Sequence, residues 1–429
     1  MLMNLERVFS LKAHQTTIKQ EVSAGTIAFL TSVYIVAINS TILADAGVPI
    51  AGAALATIIT CFLGCLLMGF WSNAPILLIP GMGINAMFTY TFVQGSGLMW
   101  QEALAVVFTA GVLFMVIAFT PIAASLTKAI PDTLKAGITA GIGLFLTFIG
   151  LQKGGLIESN SDTFVQLANL TEPMPLATLL TLLVAVVLFV KQIPGHFLWT
   201  IIIGFIIGVV LNVTTAASAI TFSLGDATAV IGQLSFSAIL TIPFWTSVFA
   251  LTMVLTFENI GLISGYTKTL NQPEKATRAL QANAVSAMSA GFFGTSPTVS
   301  TAETAAGIAA GGRTGLTTVT TGLLFGLTII ALPFLGAIPD SAIAPILLIV
   351  GGLMFKEVAQ LSFDSFAGWF SAYMIIAGIP LSYSIADGIA AGFVAYPILM
   401  LAMGKAKDVS KTMYAIGGLF FVHLLFVLF

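Results

Sequence analysis

The chain has 429 residues, of which 58% are hydrophobic and only 7% are charged, with a formal net charge of −2. Soluble domains carry about 25% charged residues, so this composition excludes an ordinary water-soluble fold. The small net charge and the lack of a long basic block argue against a nucleic-acid partner. Long apolar runs in such a chain indicate membrane spans of about 20 residues each.

The polar residues 1–21 are predicted to form an N-terminal tail, and the apolar runs after them predict fourteen spans. These spans cover residues 22–44, 51–71, 76–95, 102–126, 133–152, 174–191, 195–213, 240–263, 277–293, 297–311, 314–335, 341–355, 366–382 and 385–403. A basic loop and a last apolar stretch come after them in 404–429. The sequence leaves open whether this stretch crosses the membrane, lies at the interface or packs on the bundle.

The distribution of Lys and Arg fixes the expected orientation. With the N-terminus in the cytoplasm, alternation along the fourteen spans places every Lys and Arg at the inner face except Lys153. This asymmetry is the one that the positive-inside rule requires. We therefore expect an integral protein of a bacterial inner membrane with a cytoplasmic N-terminus.

Two weak repeats relate the halves of the chain. Ala129-Ile-Pro-Asp-Thr133 precedes span 5, and Ala337-Ile-Pro-Asp-Ser341 precedes span 12, seven spans later. Asn73-Ala-Pro75 before span 3 and Ser296-Pro297 at span 10 are separated by the same interval. Because an odd number of crossings turns the second half upside down, the pattern predicts inverted repeats. Paired, Gly/Pro-broken spans at matching positions indicate a transporter's binding site.

Two carboxylates, Glu258 in span 8 and Glu303 in short span 10, fall inside predicted spans. A charge at the centre of a membrane helix costs about 2.5–3.5 kcal/mol on insertion scales, so both are functional candidates. The alternative is a Glu bonded to a neighbouring helix or lying nearer the interface. Protonation or a bound partner must relieve the cost, which suits a proton-coupled carrier.

Span 3 contains Ile79-Pro-Gly-Met-Gly-Ile-Asn85, which is predicted to interrupt its helix. Pro80 lacks an amide donor and the two glycines loosen the backbone. Freed amides would then face the site. Aromatic side chains such as Tyr34 and Phe88 could pack in the bundle or stack on a planar ligand. Cys61 and Cys65 are too few for a metal site, and none is predicted.

Four stretches, Asn73–Ala86, Ile130–Phe145, Gly294–Gly315 and Pro380–Gly388, together match a known pattern. The chain resembles the AzgA-like purine permeases of the nucleobase:cation symporter-2 family. The resemblance implies an all-α polytopic fold of two inverted seven-span repeats. Its core domain would comprise residues 22–126 and 240–335 (spans 1–4 and 8–11), and its gate domain residues 127–213 and 336–403 (spans 5–7 and 12–14).

The resemblance also implies a secondary active transporter that imports hypoxanthine, guanine or adenine by symport with a proton. The nucleobase would lie between the broken spans 3 and 10, with Glu258 and Glu303 as hydrogen-bond partners and proton-coupling groups. The other substrate contacts expected are Gly81, Met82, Gly83, Asn85, Phe88 and Ala302. The expected partners are the nucleobase and the lipid bilayer, with no cofactor besides the coupling proton, and a homodimer is an open option for the assembly.

The sequence departs from the family pattern at several positions, so the identity of the transported base stays open. Glu258 stands where Asp is common, Asn259-Ile260 replaces a Thr-rich stretch, and Leu262 stands where related uracil carriers have His. Asn39-Ser40 replaces an Asn-Pro in span 1. A xanthine or uracil carrier, or an anion carrier or channel of related architecture, is the alternative. The chain has no HExxH, GxSxG or P-loop pattern, so an enzyme is not expected.

Overall fold

The computed structural model describes residues 2–213, 225 and 228–428. These residues form a helical bundle with two small antiparallel sheets. The helices are α1 Leu2–Phe9, α2 Ile18–Ser32, α3 Ile35–Ala44, α4 Ile50–Ser72, α5 Met82–Ala86, α6 Trp100–Phe119, α7 Ile122–Ala129, α8 Asp132–Lys153, α9 Pro173–Val190, α10 His196–Val210, α11 Ile242–Thr269, α12 Ala276–Phe293, α13 Thr304–Ala309, α14 Gly315–Leu327, α15 Leu332–Leu335, α16 Asp340–Phe355, α17 Phe366–Ser382, α18 Ile385–Ala402 and α19 Lys411–Leu428. The strands are β1 Leu78–Pro80, β2 Ile157–Asn160, β3 Phe164–Leu167 and β4 Thr298–Ser300.

Within the described ranges, nine helices are long and apolar enough to cross a membrane, and they coincide with predicted spans 1, 2, 4, 5, 6, 8, 11, 12 and 14. The shorter helices α10 and α17 coincide with spans 7 and 13. Span 9 corresponds to α12, which is less apolar because it packs between α4 and α6 and buries polar residues such as Asn283 and Ser286.

Predicted span 4 ends earlier than its apolar run suggests. The run 102–126 is divided into α6 and α7 at Thr120-Pro121. Thr120 is extended, with φ −124° and ψ 166°, which is the conformation that a proline at the next position favours. Proline cannot continue the hydrogen-bond ladder of α6, so the chain turns and begins a separate helix.

The two spans predicted to be broken meet each other through short strands. β1 and β4 pair antiparallel, with Leu78 opposite Ser300 and Pro80 opposite Thr298. Both strands are buried throughout. The pairing satisfies backbone groups that an interrupted helix would otherwise leave unbonded in an apolar medium. Helix α5 begins directly after β1, and a π-helical stretch, Met87–Gly95, continues it.

Polar side chains from the surrounding helices hold this strand pair in place. Asn259 of α11 accepts a hydrogen bond from the Ser300 amide through Oδ1, at 2.8 Å. The Ser286 and Thr298 hydroxyls lie 2.6 Å apart, and the Leu77 amide donates to Thr304 Oγ1 at 3.1 Å. The strand crossing is therefore fixed by side chains as well as by its own ladder.

Helices α8 and α16 run antiparallel in close contact. A Cβ atom added to Gly143 would lie 2.5 Å from the Gly351 carbonyl oxygen, so no larger residue fits there. Further along, Gly150 faces Ala344. Small residues that let backbones approach are the usual basis of helix packing in membranes. The two helices therefore form one tightly packed unit.

The C-terminal helix α19 belongs to the segment 404–429, whose placement the sequence left open. It lies antiparallel to α18, because His423 Nε2 lies 2.7 Å from Asp387 Oδ1 and Gly417 packs on Phe393. The rings of Phe393 and Phe420 are 5.4 Å apart. Each helix has 18 residues, or about 27 Å. α19 thus packs along α18 for most of its length.

With the N-terminus in the cytoplasm, we expect α19 to return across the membrane from an inner basic loop, so a tag joined to residue 429, just outside the described residues, should be reachable from outside the cell. Impermeant antibody labelling of intact cells measures this, with a tag at 159 as the external control and tags at 270 and 409 as internal controls. A tag at 224 is also predicted to be external, although that position lies outside the described residues. Labelling of the C-terminal tag only after permeabilisation would contradict the crossing.

Candidate substrate-binding site

Glu303 lies between β4 and α13, directly beside the strand crossing. The hydroxyl of Tyr34, at the junction of α2 and α3, donates a short hydrogen bond to Glu303 Oε1. Tyr266 of α11 donates to the Thr301 carbonyl oxygen at 3.0 Å. Side chains from spans 1 and 8 thus fix the turn that carries Glu303, which restricts the orientations open to its carboxylate.

Glu258 faces a cleft between α11 and the paired helices α8 and α16. This central cleft has a volume of about 60 Å³ and is lined by Lys135, Ile138, Thr139, Ile142, Val254, Phe257, Glu258 and Met354. Gly261 and Gly265 come after Glu258 on the same stripe of α11 and are exposed, with open space where a Cβ would stand. A half-buried carboxylate therefore lies where two groups of helices meet.

The two carboxylates lie within electrostatic reach of each other. Neither takes part in an ion pair among the described residues. His196 of α10 and Tyr266 also lie within electrostatic reach of Glu303. Two like charges in a medium of low dielectric repel strongly, so this arrangement favours a bound proton or a ligand that donates hydrogen bonds.

The strand crossing also has buried polar atoms without a partner among the described residues: Asn85 Nδ2, Ser300 Oγ and Thr301 Oγ1. The other end of the Asn85 amide is engaged, because Ser296 Oγ donates to Asn85 Oδ1 at 2.6 Å. Buried polar atoms in folded proteins are nearly always bonded to protein or to water. The unused capacity here indicates room for a polar ligand or ordered water.

The structure divides the other predicted contact residues into two groups. Gly81 and Gly83 permit close packing, since added Cβ atoms would lie 2.6 Å from Val299 and 2.5 Å from Ile142. Ile142 lines the central cleft, so Gly83 is brought beside it. Ala302, next to Glu303, is exposed, and Met82 is 8% exposed.

Asn85 and Phe88 are fully buried in the structure. Asn85 joins the polar network of the strand crossing through Ser296, which is the position of a residue that supports a site from behind. Phe88 belongs to the hydrophobic core that packs around the crossing. Their predicted contact with substrate stays a prediction.

Several partners of the site carry no signal in the sequence. Tyr34 stands out there only for its ring, yet its hydroxyl binds Glu303 while its ring packs edge-on against Phe197 at 4.8 Å. Asn259 stands out only as a departure from a family pattern. Glu21, just before predicted span 1, is fully buried and accepts hydrogen bonds from the Arg313 and Thr314 amides. Their partners lie far away along the chain, so no local pattern could identify them.

Replacing Asn259 with Ala should lower the free energy of unfolding by about 1–3 kcal/mol, because the buried Ser300 amide loses its acceptor. Denaturant unfolding of the detergent-solubilised protein measures this change. Thr269→Ala at the exposed end of α11 is the matched control, since its hydroxyl bonds Gly265 in its own helix. Equal stability of the two variants would contradict a structural role for Asn259.

Several known proteins are similar to this chain in sequence. A family model described as "Permease family" (Xan_ur_permease) matches residues 19–391. The "Nucleobase transporter PlAzg2" of Paenibacillus larvae is 43% identical over 89% of this chain and 77% of its own length. The "Guanine/hypoxanthine permease PbuO" of Bacillus subtilis is 37% identical, with 97% and 99% covered. The "Adenine permease AdeP" of Escherichia coli is 31% identical, with 99% and 96% covered.

Solved structures with the same fold are more distant in sequence. The transmembrane domain of the cyanobacterium bicarbonate transporter BicA has a TM-score of 0.65 at 16% identity, covering 87% of this chain and 97% of that one. SLC26A9 has a TM-score of 0.70 at 12% identity, covering 91% and 67%. At these identities the likeness concerns the fold, which is that of a polytopic membrane transporter.

Proposed function

The chain belongs to this permease family, and from that premise we propose that it is a secondary active transporter importing a purine nucleobase: hypoxanthine, guanine or adenine. Family membership makes it an integral membrane transporter rather than an enzyme. The nucleobase is supported by its relatives, since those named for a substrate are nucleobase, guanine/hypoxanthine or adenine carriers. A carrier of xanthine or uracil is the nearest alternative.

The observation that carries the proposal is the pair of carboxylates beside the strand crossing. Glu303 has one oxygen engaged by Tyr34, and Glu258 faces the central cleft. Carboxylates accept hydrogen bonds, and a purine presents ring and exocyclic N–H donors, so the two are complementary. An anion carrier, which the fold alone would also allow, is disfavoured because Glu258 at the cleft and Glu303 beside the strand crossing would repel an anion.

The proposed architecture has fourteen spans in two inverted repeats, with core 22–126 and 240–335 and gate 127–213 and 336–403. Antiparallel pairing of β1 with β4 and of α8 with α16 supports this symmetry. Helix α19 adds a crossing outside the repeats. We place the protein in a bacterial inner membrane with its N-terminus in the cytoplasm, on the strength of the Lys and Arg distribution.

The coupling ion in this proposal is the proton. Glu258 and Glu303 are electrostatically coupled and neither takes part in an ion pair of the described structure, so binding one proton weakens their repulsion. A protonated Glu258 could then donate to a ring nitrogen or exocyclic oxygen of the base. Deprotonation toward the cytoplasm would weaken that contact and release the base. Alternating access of the cleft completes the cycle.

Uptake of radiolabelled hypoxanthine in proteoliposomes tests the substrate directly. Adenine or guanine should compete, and uracil should not.

Glu303→Gln replaces an acceptor oxygen by a donor of equal size, and a lost charge-assisted bond is worth roughly 1.5–3 kcal/mol. We therefore expect at least about a tenfold loss of affinity in calorimetry. Glu172→Gln in the external loop is the control, and unchanged binding by Glu303→Gln would remove Glu303 from the site.

Glu258→Gln should separate binding from proton coupling, because the amide permanently resembles the protonated acid. The variant should bind the base without pH dependence, fail to accumulate it against its gradient and still exchange labelled for unlabelled base. Uphill uptake and counterflow in proteoliposomes with an imposed pH gradient measure the two activities. Full uphill uptake would exclude Glu258 as proton carrier. Normal uptake with unchanged affinity would leave it only a packing role.

A further inference from the structure

Lys153, the residue predicted to be the one basic side chain of the outer face, lies between two carboxylates. Its Nζ is 2.7 Å from Asp45 Oδ2 and 3.6 Å from Asp340 Oδ1. Asp45 comes directly after α3, in the proposed core domain, whereas Lys153 ends α8 and Asp340 begins α16, both in the proposed gate domain. One lysine thus has one partner in each domain.

Further contacts join the same two domains around this ion cluster. Tyr90, from the π-helical part of span 3, donates to Asp45 Oδ2 at 2.6 Å. Its ring packs edge-on against Tyr383, which lies between α17 and α18, with ring centres 5.7 Å apart. The Ile385 amide at the start of α18 donates to Thr91 Oγ1 at 3.0 Å. The external ends of core and gate are therefore closed on each other by charged, aromatic and backbone contacts.

A movement of the gate domain relative to the core domain would affect Asp45 and Asp340 differently. α8 and α16 are in backbone contact at Gly143 and Gly351, so Asp340 stays beside Lys153 when the gate moves as a body. Asp45 belongs to the other domain and would move away. A lysine side chain that is only 12% exposed is costly to leave unpaired, and Asp340 removes that cost.

We propose that Asp45, Lys153 and Asp340 form an external latch, in which Lys153 closes the outer path by pairing with Asp45 and passes to Asp340 when the path opens. This inference rests on the alternating access of the proposed function. The latch predicts opposite effects for the loss of Asp45 and the loss of Asp340, although both carboxylates lie beside Lys153. Losing Asp45 frees the gate, whereas losing Asp340 leaves Lys153 with its core partner alone and holds the path closed.

A reporter cysteine at Thr91, which is 1% exposed and lies at the core–gate contact, tests the latch. In the Thr91→Cys protein, an impermeant thiol reagent added outside should react slowly, and the native Cys61 and Cys65 are buried. Adding Lys153→Gln or Asp45→Asn should raise the labelling rate about fivefold, the shift expected from losing a partly exposed ion pair. Adding Asp340→Asn should leave the rate unchanged or lower it.

The controls separate the latch from simple loss of structure. Lys153→Arg keeps the charge and should keep the slow rate, and Lys268→Gln at the exposed inner end of α11 should not alter it. Equal acceleration by Asp45→Asn and Asp340→Asn, or an unchanged rate in Lys153→Gln, would overturn the proposal. So would a fall in thermal stability of Lys153→Gln without faster labelling. Labelling needs no nucleobase, so a latch that behaves as expected in a protein that transports no purine would refute only the proposed function.

Discussion

Backbone groups cannot stay unbonded at the centre of a membrane, and the pairing of β1 with β4 is how this chain meets that constraint. Pro80 ends one ladder and Pro297 stands at the start of the other, so both spans must leave the helical conformation at matching depth. Each supplies the hydrogen bonds that the other lacks. Every polar group assigned to the site is positioned by this crossing, either within it or on the helices that support it.

The crossing explains why the two carboxylates are held in fixed positions. Glu303 lies just after β4 and has its orientation set by Tyr34, while Glu258 lies one residue before Asn259, whose amide holds the Ser300 backbone. The two acids are therefore anchored through the same strand from opposite sides. Their repulsion cannot be relieved by moving apart without disrupting the crossing, and the proposed function relieves it with a proton or a donor ligand. The proposed proton-coupled carrier requires a site that a proton or a donor ligand can stabilise.

Hydropathy and proline predicted the spans, their breaks and both acidic candidates, because these signals report the solvent around each segment and the local ladder. These two signals could not predict which side chains contact each other in the folded protein. Tyr34 and Glu303 are 269 positions apart, and Asp387 and His423 pair across two helices. A tyrosine inside an apolar run gives no sign of what its hydroxyl will bind. The packing of α19 on α18 was likewise open, since its contacts join residues of different helices. Pro121 is a local signal for the division of span 4, but the apolar run continues past it and predicted a single span.

One physical rule applies to the charged groups of the site and to those of the outer face. A partly buried charge is tolerated when a partner remains available in every state that the protein visits. Glu258 at the cleft and Glu303 beside the strand crossing are fixed, so their partner must arrive and leave, which is the role proposed for the proton and the nucleobase. At the outer face no ligand is needed, because Lys153 already has a carboxylate on each side of the moving boundary. A fixed site whose partner arrives and leaves suits the proposed binding and transport, whereas a lysine that keeps one carboxylate while the other moves away suits the proposed opening and closing.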